Sequence, residues 1–493
     1  MEQWVFYFEQ YGSVWHILVN IILALAFLVI GNVIRRVIPF LRKAHIPSAL
    51  IGGLLLFCFE LILTKGCHFE PNLVVDKRLM QIITYHALAI GFIAMTLKVA
   101  KKGQKTSFME SVKNGAITGG TYMLQAGCGI LVSLIFFWIT AKSENTFFYD
   151  SGVLLPLGFG QGPGNALTWD LEFSKLSTDY GFFNFNGNGS VGLTIASIGF
   201  VVASVVSVIY INIFKHKNQI KEQTVNNEER NVREFIDFDE IEDSESVDKT
   251  SIQVGLVAIA YGLAIAIMAL FWCISYWTKN DLFKQLAFGF NFIWGVITAN
   301  LIKLLIKGLR KGKIIKKQYI NNYQMDRISG FAFDMMIIAG VASIDINDVK
   351  NYWLFILVVC LVGAIVTLVY VRLMTKHCFK DFEHEAFLTN FGTLTGTASN
   401  GMAFLREIDP NYETPMSNIF IVSQLPAMIF VAPLLLLLGF SSGVSKGTFY
   451  GVNRTYIAMG IFFGLFILYT VFLILSPKIK FKKKEKLAEE VVE

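Results

Sequence analysis

The amino-acid sequence predicts an all-α polytopic membrane protein: an inverted repeat of two five-helix halves, each with a re-entrant hairpin, plus one extra C-terminal transmembrane helix. Three observations support this fold class. Of the 493 residues, 54% are hydrophobic and 16% are charged, whereas soluble domains carry about 25% charged residues. The apolar residues come in blocks of about 20, enough to cross a bilayer core of roughly 30 Å. Two glycine-rich stretches interrupt this pattern at matching positions.

The apolar blocks predict about 11 spans. The first repeat, residues 1–213, contains predicted helices at 15–34, 46–64, 80–99, 114–139 and 190–213. Residues 214–252 form a polar, acidic linker that is too polar to bury and is expected to lie in the cytoplasm. The second repeat, residues 253–438, contains predicted helices at 253–275, 285–306, 329–345, 351–374 and 416–438. Residues 439–493 add a helix at 455–476 and a basic tail.

The distribution of basic residues predicts the orientation, because cytoplasmic loops are enriched in Lys and Arg. Basic clusters follow the first, third and seventh predicted helices, and the last helix precedes "KIKFKKKEK". The remaining loops are mixed or acidic, for example "AKSENTFFYD". This alternation places the N-terminus outside and the linker and C-terminus inside.

The same charge pattern predicts two re-entrant hairpins. The stretch "GFGQGPGNALTW" lies within residues 151–168, and "NFGTLTGTASNGM" lies within residues 385–405. If either segment crossed the membrane, basic loops beyond it would move outside. Both segments share the pattern F-G-x-x-x-G-x-A and follow four helices of their half. Interrupted helices at matching positions of two inverted halves indicate the binding site of a transporter.

The hairpins contain groups suited to an anion and to a hard cation. Helix N-termini expose N–H groups and a positive dipole for a carboxylate, while neutral oxygens and freed carbonyls suit Na⁺. The predicted substrate-binding residues are Gly160, Gln161, Gly162, Gly164, Asn165, Gly396, Thr397, Ser399 and Asn400. The candidate sodium ligands are Thr393, Thr395 and Asp334. For each single glycine the alternative is close helix packing through a G-x-x-x-G spacing.

Ionisable residues inside apolar helices are further candidates, since such residues are rare and commonly functional. Asp334 either ligates a cation or exchanges a proton, or it pairs with Arg327 at the interface. His86 is either a proton relay or a hydrogen-bonded interior histidine. Glu60, near the outer end of its helix, is expected to reach water.

Other classes of function have no support in the sequence. The six cysteines form no CxxC pair, so neither a disulfide framework nor a zinc site is indicated. The net charge of +6 comes from basic residues at helix ends, a placement that indicates membrane orientation and not nucleic-acid binding. No Walker A, GxGD or HExxH motif occurs. We therefore expect no catalytic residues, no prosthetic group and no nucleic-acid partner.

At these motifs the sequence resembles the bacterial glutamate:sodium symporter family. "IPSALIGGLL" at 46–55 is similar to an early segment of that family, and the two glycine-rich stretches lie where its hairpins belong. The resemblance implies two inverted five-helix repeats, a homodimer, and a mobile transport domain that moves like an elevator. It also implies Na⁺ as the co-transported ion and a location in the bacterial cytoplasmic membrane. Three features differ: Phe159 or Gln161 stands where the family has a histidine, the linker is longer and more acidic, and the helix at 455–476 is additional.

Together these observations predict a sodium-coupled symporter that imports glutamate or a related small carboxylate or amino acid. The alternatives are a proton-coupled carrier of another organic anion, using Asp334 or His86, and an ion channel. Counterflow separates a carrier from a channel, because a channel shows none. An intramembrane enzyme would release a chemically altered product, but no catalytic constellation is evident in the sequence.

Overall fold

The structure, a computed structural model, describes residues 12–43, 46–70, 72–99, 107–140, 147–181, 183–217, 249–279, 281–315, 319–410, 413–441, 444–445, 448–449 and 451–476. Most of the predicted linker at 214–252 and the basic tail lie outside the described residues.

The regular secondary structure of the described residues is helical, apart from two paired two-residue strands, β1 Val444–Ser445 and β2 Thr448–Phe449, and one isolated β-bridge between Phe147 and Asn184. The helices of the first part are α1 Gly12–Val37, α2 Pro39–Lys43, α3 Ser48–Leu61, α4 Lys77–Leu97, α5 Phe108–Thr140, α6 Leu154–Gly160, α7 Pro163–Tyr180 and α8 Ser190–His216. The helices of the second part are α9 Lys249–Thr278, α10 Asp281–Gly289, α11 Asn291–Lys311, α12 Asn322–Ala342, α13 Ile346–Val349, α14 Trp353–Cys378, α15 Glu383–Leu394, α16 Ala398–Ile408, α17 Met416–Val422, α18 Gln424–Ser441 and α19 Asn453–Leu475. A π-helical turn, Ile62–Gly66, continues α3, and 3₁₀ turns at Ser151–Val153 and Lys380–Phe382 precede α6 and α15.

Within the described residues, 10 helices are long and apolar enough to cross a membrane. They correspond to the predicted spans except the one at 329–345, which is part of α12. That helix has 21 residues, enough to span, but Asp326, Arg327 and Asp334 lower its apolar character. The prediction of a polytopic membrane protein is confirmed.

Two predicted spans are each divided into two helices. The span at 285–306 is interrupted at Phe290, which separates α10 from α11. The span at 416–438 is interrupted at Ser423, between α17 and α18. Pro426 lies in the first turn of α18, where the missing N–H of proline is tolerated, so a new helix begins there.

Helix α5 is the centre of the packing, with α14, α18 and α19 against it. Small residues allow this close approach. A Cβ built on Gly119 would lie 2.5 Å from the Phe430 side chain of α18, and one on Gly129 would collide with the Gly152 carbonyl oxygen. On the other side of the molecule α12 packs against α3 and α4, and α4 packs against α11. The α6–α7 and α15–α16 pairs lie against α8.

Candidate functional site

The first interrupted segment is the helix pair α6–α7, broken at Gln161 and Gly162. Gly162 has φ +85° and ψ −176°, a conformation that is essentially restricted to glycine. Pro163 then begins α7 with its φ already suited to a helix. The Asn165 amide donates a 2.7 Å hydrogen bond to Gln161 Oε1 and so bridges the break.

The second interrupted segment is the helix pair α15–α16, broken at Thr395, Gly396 and Thr397. Thr397 adopts an extended conformation with φ −138° and ψ 166°, immediately before α16. The hydroxyls of Thr393 and Thr395 donate to the carbonyl oxygens of Thr389 and Phe391, at 2.7 Å each. Their oxygens keep lone pairs for a further contact.

The two breaks meet inside the protein. A Cβ built on Gly162 would lie 3.5 Å from Thr397 Cγ2 and 3.9 Å from the Gly396 carbonyl oxygen. Gly199, in the middle of α8, lies beside both helix pairs: its built Cβ would be 2.7 Å from the Thr395 carbonyl oxygen and 3.1 Å from Phe159 Cδ1. Residues more than 200 positions apart in sequence therefore share one site.

Helix α5 supplies hydrogen bonds to both breaks. The Tyr122 hydroxyl donates to the Gly160 carbonyl oxygen at 2.6 Å, at the end of α6. The Gln125 amide donates to the Leu394 carbonyl oxygen at 3.1 Å, at the end of α15, and to Thr367 Oγ1 at 2.8 Å. A helix leaves its last carbonyls without intrahelical partners, so these side chains satisfy acceptors that each break creates.

A cavity of about 100 Å³ lies between the breaks and helices α4, α5, α11, α12, α17 and α18. Gln161, Thr393 and Thr397 line it from the breaks, and Phe92 and Phe333 are among its aromatic walls. All the residues that line this cavity are uncharged. A charged ligand bound there must be balanced by helix dipoles or by a co-bound ion.

One wall of the cavity is a buried amide and hydroxyl network. Asn114 on α5 donates to Ser423 Oγ at 2.9 Å and accepts a 2.8 Å hydrogen bond from the Asn390 amide on α15. Asn390 also donates to the Ala386 carbonyl oxygen at 2.8 Å. This network fixes α15 against α5 and the α17–α18 break.

Several buried polar atoms around the breaks have no hydrogen-bond partner in the part of the chain that the structure describes. They are Asn165 Oδ1, Thr397 Oγ1, Asn400 Nδ2 and Gln125 Oε1. An unpaired polar group in an apolar interior costs about 1–3 kcal/mol. Their concentration at the junction of two helix breaks is typical of a site that a ligand completes.

A family model described as Sodium/glutamate symporter matches residues 14–413. The chain belongs to the sodium/glutamate symporter family. No curated protein matches the sequence.

Family membership and the long apolar helices together identify the chain as a multi-pass protein of the plasma membrane. The family couples glutamate transport to Na⁺. The family match includes both helix pairs and ends before α17, α18 and α19. The predicted family resemblance is confirmed.

The structure brings most of the predicted site residues of this symporter together. Gln161, Asn165 and Thr397 are buried at the junction, and Asn400 lies behind it in the first turn of α16. Ser399 is half-buried. Gly160 and Gly164 are tightly packed, since a Cβ on Gly160 would collide with the Tyr122 ring and one on Gly164 would lie 2.8 Å from Leu88. The roles of these residues in binding remain predictions.

Of the three candidate sodium ligands, Thr393 lines the cavity, whereas Thr395 and Asp334 do not. Asp334 is attracted electrostatically to Arg35 on α1. The Arg327 guanidinium donates to the Tyr323 hydroxyl at 2.8 Å, and the described residues show no ion pair between Arg327 and Asp334. The role of Asp334 as a sodium ligand stays a prediction.

Two other ionisable residues also depart from expectation. Glu60 does not reach water: it is 3% exposed and lies 3.6 Å from the Lys77 ammonium. His86 is hydrogen-bonded, as one alternative expected, at 2.5 Å between Nδ1 and the Tyr261 hydroxyl. Its side chain, however, is exposed on the surface of the helix bundle and not interior.

The sequence did not lead us to predict that Asn114, Tyr122 and Gln125 of α5 take part in the site. Their spacing could have indicated it, because polar side chains recur along one face of this otherwise apolar helix at intervals of three and four residues. Polar residues inside a membrane helix that face the bundle commonly bond to a neighbouring helix.

Proposed function

We propose that this protein is a sodium-coupled symporter that imports glutamate or a related small carboxylate by an elevator-like alternating-access movement. The observation that carries this proposal is the meeting of two helix breaks, with Asn165 Oδ1 and Thr397 Oγ1 buried and unpartnered at the junction. In secondary transporters such discontinuous helices hold the substrate and the coupling ion.

The substrate carboxylate binds at the N-terminal ends of α7 and α16. These ends offer backbone N–H groups and the positive ends of helix dipoles, which stabilise an anion in a cavity whose lining residues are all uncharged. Asn400 Nδ2 adds an unpartnered donor. The Gln161 and Asn165 amides complete the contacts from the first break.

Sodium binds the neutral oxygens of the second break, with Thr393 and Thr395 as the first ligands. Their hydroxyl hydrogens are already donated to helix carbonyls, so their lone pairs can face a cation. Hard cations prefer such oxygen ligands. A bound Na⁺ also lowers the cost of placing a carboxylate in the same apolar cavity.

The two helix pairs are re-entrant hairpins that enter from opposite membrane faces. The order of contacts along α8 supports this. At its start, Asp170 of α7 accepts hydrogen bonds from the backbone N–H groups of Gly189 and Gly192. In the middle of α8, Gly199 packs against residues of both helix pairs. Near the end of α8, the Tyr210 hydroxyl is 2.9 Å from His384 Nδ1 at the base of α15.

This arrangement also supports two inverted repeats, with the external face at the start of α8 and the cytoplasmic face at its end. The symporter works as a homodimer, as the family resemblance implies. Its moving part includes both hairpins and α8, since these elements form one continuous packing unit around the breaks.

Uptake of labelled glutamate into proteoliposomes tests this function. We expect accumulation when an inward Na⁺ gradient is the only driving force, together with saturable counterflow. Accumulation driven by an H⁺ gradient alone would favour the proton-coupled carrier, and flux without counterflow would favour a channel. A folded protein that fails with Na⁺ and glutamate is tested with other small carboxylates, and failure with all of them contradicts the proposal.

A further inference from the structure

A buried carboxyl group lies at the outer start of the first hairpin, away from the proposed transport site. Asp150 is 0% exposed and directly precedes the 3₁₀ turn Ser151–Val153 that leads into α6. Its Oδ1 has no hydrogen-bond partner. An ionised carboxylate buried without a counter-charge is very unfavourable, so such a group usually becomes neutral.

Ser441, the hydrogen-bond partner of this side chain among the described residues, indicates that Asp150 is protonated. Asp150 Oδ2 lies 2.6 Å from Ser441 Oγ, at the end of α18. Ser441 Oγ is also 3.1 Å from the Leu438 carbonyl oxygen, a second acceptor. One hydroxyl has one hydrogen, which cannot fully serve both contacts. A proton on Asp150 Oδ2 resolves the conflict, because it donates to Ser441 Oγ while Ser441 donates to Leu438.

Among the residues that the structure describes, the charged and titratable neighbours of Asp150 do not supply a counter-ion. Helix α18 and residues 125–140 of α5 carry no Asp, Glu, Lys, Arg or His. On α19, the Arg454 guanidinium lies 5.1 Å from the centre of the Phe440 ring, and Asp150 has no ion pair with it. The adjacent Tyr149 phenol can only add negative charge. Burial accordingly raises the pKa of Asp150 well above its ordinary value, against the opposing effect of the hydrogen bond with Ser441.

We propose that Asp150 is a proton-binding site that stays protonated at neutral pH and docks the start of the first hairpin onto α18 and α19. The hydrogen-bond chain continues beyond Ser441, whose carbonyl oxygen accepts a 2.6 Å bond from the Thr455 hydroxyl at the start of α19. Both helices lie beyond the family match. On ionisation the Oδ2–H bond breaks, the proton passes to the external solution, and the remaining anion loses its donor role in the chain.

The protonation state is measurable by infrared difference spectroscopy on the purified protein, comparing wild type with Asp150→Asn. We expect a protonated carboxylic acid C=O band at neutral pH that Asp150→Asn removes. The matched control Glu70→Gln, which changes an exposed carboxylate, leaves it in place. Ser441→Ala removes the acceptor of the acid proton and shifts the band towards that of a free acid. Absence of the band in folded wild-type protein overturns the proposal. A band that disappears when Na⁺ is added also overturns it, because Asp150 would then be a sodium ligand.

Thermal unfolding gives an independent readout that needs no transport activity. A carboxyl group with a raised pKa in the folded state destabilises that state progressively as pH rises from the unfolded value, about 3.9, towards the folded value. The folding constant of Asp150→Asn relative to wild type should therefore increase by up to about tenfold per pH unit in this window. A ratio that does not change between pH 5 and 9 contradicts a protonated Asp150.

The consequence for transport rests on the proposed symporter function. Uptake by wild type should fall when the external pH is raised enough to ionise Asp150, while Asp150→Asn keeps its activity. If the infrared band is present but uptake shows no such difference, the proton site stands and its link to transport is wrong. If no substrate is taken up at all, the proposed function fails and the infrared result is unaffected.

Discussion

At the level of single residues, the junction depends on side chains that satisfy broken helix ends. Tyr122 and Gln125 each bond a terminal carbonyl of one helix pair, and Thr397 and Asn165 leave oxygens unpartnered beside them. Tyr122 and Gln125 stabilise the conformation of the breaks. The unpartnered oxygens of Asn165 and Thr397 are available to bind a ligand.

Tyr122→Phe tests the holding role. The substitution keeps the ring but leaves the buried Gly160 carbonyl without a donor, so we expect a loss of about 1–3 kcal/mol in stability and reduced uptake. Tyr85→Phe is a matched control, since the Tyr85 hydroxyl donates to a backbone carbonyl, that of Phe288, at a distance from the breaks. Thermal unfolding and uptake are measured for both. Equal uptake in the two variants would show that the Tyr122 hydrogen bond does not position the site.

Positions of single residues could be predicted from sequence where polar residues cluster within an apolar segment. The cluster of hydroxyl and amide side chains around Gly162 and Gly396 lies at the junction, as expected from its position in the helix breaks. The partners of Asp334 and Glu60 were not predictable, because Arg35 and Lys77 reach them from other helices. Hydropathy along the chain contains no information about which helix faces which.

At the level of elements, the first helix break depends on the backbone conformation of Gly162. Gly162 combines φ +85° with an extended ψ, and side chains other than glycine are strained there by about 1–3 kcal/mol. We expect Gly162→Ala to lower the unfolding temperature and to reduce uptake strongly. Gly255→Ala is the matched control: that glycine lies inside α9 with open space around it, so alanine should be neutral or stabilising. Similar effects of the two substitutions would contradict a special role for the break.

Element boundaries show where sequence patterns are insufficient. The first hairpin was predicted to end at 168, where charged residues begin, but α7 continues to Tyr180 and ends at Gly181 with φ +66°. The helix continues because Trp169 and Phe173 are buried and because backbone N–H groups satisfy Asp170. In the region 385–405, where the sequence predicts the second hairpin, the structure has the helix pair α15 and α16.

At the level of the whole molecule, charge balance constrains the coupling. Moving one elementary charge through 100 mV yields about 2.3 kcal/mol, and a monoanion that enters with one Na⁺ moves no net charge. We therefore expect at least two Na⁺ per monoanionic substrate, with uptake faster under an inside-negative potential. Currents on a supported membrane and uptake under an imposed potassium diffusion potential measure this. Uptake that is indifferent to the potential would show electroneutral coupling.

The global fold was largely predictable because membrane burial imposes long apolar helices with a charge bias at their ends. Glycine-rich interruptions such as "GFGQGPGNALTW" mark the two breaks in the same pattern. Helix α5 as the common support of both breaks was not predictable. Its bonds join residues separated by 38 positions for Tyr122 and 269 for Gln125, and such pairings depend on tertiary packing.

The most direct test of a shared site is a double-mutant cycle between the two helix breaks. Sodium-dependent glutamate binding to the purified protein is measured calorimetrically for wild type, Asn165→Ala, Thr397→Val and the double variant. If both residues contact one bound substrate–sodium assembly, each single substitution weakens binding and the two effects are non-additive, with a coupling of about 0.5–3 kcal/mol. Additive effects, or binding that neither substitution changes, would contradict a single site formed where the two breaks meet.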